Sequence, residues 1–222
     1  MGLSFGTVFL AFLVVAAAFA PLTGLRAVRR EHLDAAVAQN ERVTALAGAA
    51  IYVLLIAIGV TVLQIRELLG AHYFIGFLLI PPVALKLWST GSRFAHYYGG
   101  NVSYRVAGAP PLLLRFVVAP LVVASTIAVF ATGIELWIFG LALGDGWTTA
   151  HTISAVLMVL SGAIHVAAHV RRSAAAVIEL ARPSRDVATR RWIMVRTLAL
   201  GLAIALASLL YATPFPASAA GG

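Results

Sequence analysis

The chain has no cysteine. That absence excludes structural disulfides, thiolate zinc sites, iron–sulfur clusters and covalent haem attachment through CxxCH. Charge is scarce as well: only 11% of the 222 residues are charged, and only eight are acidic. Too little polar surface remains to face water, which excludes a soluble domain of this length. Three methionines are too few for a methionine-lined copper site. No GxGxxG or GxxxxGK[ST] fingerprint occurs, and no polar segment is large enough for a flavin or nicotinamide domain. Nothing points to nucleic acid as a partner.

What remains is apolar. Hydrophobic residues make up 61% of the chain, and the mean hydropathy is +0.96. Runs near 20 residues are long enough to cross a bilayer. Six occur, at 3–22, 44–65, 71–92, 114–138, 149–170 and 194–212. The chain therefore reads as a single all-α integral membrane domain, 1–222, with six transmembrane helices. Ala18-Phe19-Ala20 resembles a signal-peptidase site. However, no basic segment precedes the first run and Pro21 would follow the cut, so that run is read as an uncleaved helix.

The placement of basic residues orients the spans. Fourteen of the sixteen lie in alternate connections, 26–43, 93–115 and 171–196. By the positive-inside rule these three face the cytoplasm of a bacterial plasma membrane, and both termini lie outside. Connection 26–43, which holds His32, reads as a short solvated or amphipathic helix. The tail "TPFPASAAGG" reads as disordered.

Histidines carry the chemistry. His72 opens the third span and His151 opens the fifth, and both spans run from outside to inside. The two imidazoles should share one depth near the outer face, as the axial ligands of a b-type haem do when neighbouring helices supply them. Gly76, one turn below His72, would let a flat macrocycle approach the helix, or would merely permit close helix packing. Along the fifth span, 14 residues reach His165, about 40° short of the His151 face and about 21 Å lower; 18 residues reach His169, on that face and about 27 Å lower. The third span does not repeat the pattern. Lys86 stands 14 residues after His72, and His96 stands 24 after it, about 120° off the face. Pro81-Pro82 should break the helical ladder between them. A second haem would need His96 with His165 or His169, or Lys86 as an unusual ligand. Lys86 would otherwise neutralise a propionate or snorkel to the interface. One haem b is expected rather than two.

Other polar residues have two readings each. Glu135 is the one acid well inside a span, a candidate proton acceptor for a quinol site or a solvated end residue beside Trp137. Arg93 and Arg105 would suit haem propionates or anionic lipid head groups.

The stretches "HYFIGFLLIPPVALKLWSTGSRFAHYYGG", "YRVAGAPPLLLRFVVAP" and "HTISAVLMVLSGAIHVAAH" resemble the cytochrome b561-like and ferric-reductase-like transmembrane class, over about residues 44–171. That resemblance implies a four-helix haem-binding core, with His72 and His151 as a ligand pair and His165 as a fourth-ligand position. Lys86 stands where the partner of His165 would be. It also implies an electron-transfer subunit without its own catalytic domain, working with a redox partner protein and with a quinone as a candidate partner. The rival expectation is a cofactor-free transporter or scaffold that uses the intramembrane His, Lys and Glu as an ion or proton path.

Overall fold

The computed structural model describes residues 34–108, 112–182, 184–216 and 219–220. The first apolar run, 3–22, and His32 lie outside the described residues. Every regular element among the described residues is helical, and five helices are long and apolar enough to cross a membrane. The chain therefore has the character of a multi-pass membrane protein.

Helix α1 spans Ala35–Leu63 and α2 spans Leu69–Tyr98. A one-turn helix, α3 (Val102–Val106), follows. A π-helical turn, Leu114–Val118, leads into α4 (Ala119–Phe139). Helices α5 (Gly146–Glu179) and α6 (Arg185–Ser208) complete the set. The π turn has a local cause. Pro120 has no N–H to give and its ring crowds the preceding turn, so the backbone widens just before it.

Four helices form a ring. α1 packs on α2, α4 packs on α5, and α1 packs on α5, while α2 and α4 touch only lightly. α2 and α5 face each other across a cavity of about 1470 Å³ rather than packing together. α6 covers the outside of α2. The approach there is close: a Cβ on Gly201 would stand 2.6 Å from the Leu78 carbonyl oxygen, so only glycine fits.

Four expectations are corrected. Connection 26–43 is not a separate short helix in its described part: from Ala35 it is the beginning of α1, capped by Asp34, whose side chain accepts the Ala36 N–H at 2.8 Å. Connection 171–196 is mostly helix, with only residues 180–184 between α5 and α6. Apolar runs end at the membrane boundary, but the helices do not, because polar contacts continue to hold them. Arg190, 2% exposed, donates to Gln39 at 3.1 Å and to Glu179 at 3.2 Å. Arg42 pairs with the same Glu179 at 3.1 Å. Pro81-Pro82 does not interrupt α2. Both prolines are buried, and packing on both sides keeps the helix continuous where the missing N–H groups would weaken it.

The fourth correction concerns the tail. Residues 209–216 and 219–220 fold back over one end of the bundle. Tyr211 Oη donates to the Ile138 carbonyl and Thr213 Oγ1 to the Trp137 carbonyl, each at 2.7 Å. Phe215 is 8% exposed and packs with Leu136 and Ala220. Arg66 Nε donates to the Ala220 carbonyl at 3.0 Å. Gly140 ends α4 at φ +60°, and a Cβ there would stand 3.0 Å from the Pro214 backbone. Burial of Phe215 and these three hydrogen bonds offset the entropy of ordering the segment.

Candidate functional site

The end of the cavity under the tail is built from two matching halves. The short turn after α1 brings Thr61, near the end of α1, beside His72, near the start of α2. The turn after α4 does the same for Thr132 and His151. His72 Nδ1 lies 2.9 Å from Thr61 Oγ1, and His151 Nδ1 lies 3.0 Å from Thr132 Oγ1.

These contacts assign the tautomers. Each threonine hydroxyl has one proton. Thr61 gives it to the Ile58 carbonyl at 2.6 Å, and Thr132 gives it to the Ala128 carbonyl at 2.7 Å. Each hydroxyl can then only accept, so each imidazole donates from Nδ1–H. Nε2 of both rings is left with a free lone pair. A ring nitrogen fixed by its other N–H is how ligating histidines are held.

The two ring centroids are 6.4 Å apart, with planes at 80°. Both histidines line the cavity. Gly76 and Gly162 line it too: a Cβ at Gly76 would meet only Ile58 Cδ1, at 3.9 Å, and one at Gly162 would meet nothing within 4 Å. Gly133 has a different role. A Cβ there would stand 3.0 Å from His151 Cε1, so this glycine makes room for the ring itself. The imidazole donors and the open glycine faces would suit a flat tetrapyrrole held by His72 and His151.

The opposite end of the cavity holds Lys86, His165 and His169. The two rings are one turn apart on α5, with centroids 4.7 Å apart. Neither makes a hydrogen bond among the described residues. Lys86 Nζ donates to the Thr44 carbonyl at 3.1 Å. No threonine holds these imidazoles as Thr61 and Thr132 hold the other two.

The remaining candidates lie off the cavity. His96 stacks on Tyr104 at 4.9 Å, and its Nδ1 bonds the Ser92 carbonyl at 2.7 Å. Arg93 pairs with Glu41 at 3.0 Å and donates to the Gly108 carbonyl at 3.2 Å. Arg105 donates to the Tyr97 carbonyl at 3.4 Å. Glu135 does not line the cavity, and both its carboxylate oxygens are buried without a hydrogen-bond partner among the described residues. No cluster of three or more His, Cys, Asp or Glu side chains suited to a bare metal ion occurs among the described residues.

Sequence reasoning missed Thr61, Thr132 and Gly133. The available signal was a threonine near the end of one span followed, across a short turn, by a histidine near the start of the next. No protein-family model, curated protein or solved structure matches the chain.

Proposed function

We propose that the chain is a membrane b-type cytochrome subunit that binds one haem b between α2 and α5, where His72 and His151 would hold it. The observation that carries this reading is the pair of imidazoles 6.4 Å apart on two helices, each fixed through Nδ1 by a threonine whose own proton is already committed. Packing alone does not call for two such locks facing one cavity.

Haem iron, when bound, supplies a one-electron couple. The chain's residues do the rest. Thr61 and Thr132 hold the two rings in one tautomer. Gly76 and Gly162 keep the helix faces flat. Apolar walls exclude water, and the Phe215 segment covers the end of the cavity nearest the two rings. The electron donor and acceptor are a redox partner protein and a quinone. The setting is a bacterial plasma membrane, with the arginine-rich helix ends in the cytoplasm and the tail outside.

Visible spectra of purified variants test the assignment. His72→Ala and His151→Ala should each lose the Soret and α bands, while retaining the size-exclusion profile of the unaltered chain. A full haem complement in either variant would refute the assignment.

A further inference from the structure

The Lys86 end of the cavity lies about 21 Å along α2 from His72. That is farther than the edge carboxylates of one tetrapyrrole reach. The cavity, about 1470 Å³, also exceeds the roughly 300–1,000 Å³ usual for one small ligand. This end needs an occupant of its own.

Its chemistry is cationic. Lys86 has a carbonyl partner and no acidic partner among the described residues. The acids on the adjoining helix ends are engaged elsewhere: Glu41 by Arg93 at 3.0 Å, and Glu179 by Arg42 at 3.1 Å and Arg190 at 3.2 Å. Lys86, Arg93 and Arg172 all act electrostatically on His169, and Lys86 also acts on His165. A cation between apolar walls is costly without a counter-charge. The cationic surroundings also disfavour a metal ion on the His165–His169 pair. Space for the ammonium is built in: a Cβ on Gly48 would stand 2.9 Å from Lys86 Nζ and 3.5 Å from Ser173 Oγ.

We infer that Lys86, with His165, His169 and Ser173 around it, binds the anionic head of an amphipathic molecule whose apolar tail lies along the cavity. The head is a carboxylate or a phosphate. The lysine supplies the charge, and the imidazoles and the serine hydroxyl supply neutral donors. This site is independent of the haem reading.

The test uses the full chain, delipidated in a non-ionic detergent. Energy transfer from its tryptophans reports bound cis-parinaric acid, a fluorescent fatty carboxylate. Dodecanoate should displace the probe at about one tenth the concentration that dodecanol needs, the difference expected of one hydrogen-bonded charge. Lys86→Met should weaken probe binding about tenfold, and Lys86→Arg should restore most of it. Gly48→Ala pushes only the flexible end of Lys86, so it should leave the fold intact and weaken binding; it decides the matter if Lys86→Met does not fold. Displacement by phosphatidylglycerol but not phosphatidylcholine identifies a lipid phosphate. Displacement by dodecanoate alone identifies a free carboxylate. Three results overturn the inference: no probe binding to the unaltered chain, dodecanol competing as well as dodecanoate, or unchanged affinity in the folded Lys86→Met and Gly48→Ala variants.

Discussion

The two ends of one cavity use the same pair of helices and differ in what they can hold. At one end, α2 and α5 each contribute a histidine, and a threonine from the neighbouring helix locks each ring. At the other end, both histidines come from α5, and α2 contributes Lys86 instead. Histidine content is similar at the two ends, so residue type does not set the difference. Supply from two helices and tautomer control do. Rings supplied by two helices, 6.4 Å apart and each locked at Nδ1, would suit a shared metal centre. Rings one turn apart on one helix, beside an ammonium, suit an anion.

The sharpest way to break this contrast is to fill the first end without touching its ligands. Gly76→Leu meets open cavity rather than protein, since the nearest atom to a Cβ there is 3.9 Å away. It should abolish haem binding and leave the thermal midpoint of the haem-free protein within a few degrees. Normal haem content in that variant would show that the cavity between the rings is not where haem sits.

Releasing the locks should have the next largest effect. Thr61→Val and Thr132→Val remove the acceptors for Nδ1–H but keep side-chain volume. Loss of such a partner weakens binding to a ligating histidine by about 10–100-fold. Haem transfer to apomyoglobin would measure it, and the pair should behave alike because their geometries match. Phe215→Ala comes third. Deleting a nearly buried phenylalanine costs about 3–5 kcal/mol. The thermal midpoint should fall, while the haem spectrum persists at low temperature. The smallest effect belongs to the other end. The double variant His165→Ala and His169→Ala should keep its full haem content and band positions. Loss of haem there would erase the contrast between the two ends.

Much of this architecture is legible in the sequence, for identifiable reasons. Apolar runs locate five of the helices because a bilayer core demands length and hydropathy together. Helix ends are missed where polar contacts such as Arg190 with Gln39 and Glu179 extend the helices past the apolar run. Helical arithmetic puts His151, His165 and His169 on one seam, and all three line the cavity. For His96 the arithmetic decides nothing across Pro81-Pro82; the residue is a candidate ligand by sequence, and it lies off the cavity. The tail is misread because its order comes from distant partners. Proline, alanine and glycine give no local signal, while Tyr211, Thr213 and Phe215 find theirs on α4. The threonine locks are missed for a related reason. Each is a contact between helices, invisible to a reading that takes one span at a time.

The most direct test of the central claim is a pyridine haemochrome count on the full chain purified from cells supplied with ample haem. The account predicts a b-type spectrum with one haem per chain. A protein without a Soret band, or one carrying two haems per chain, would contradict it.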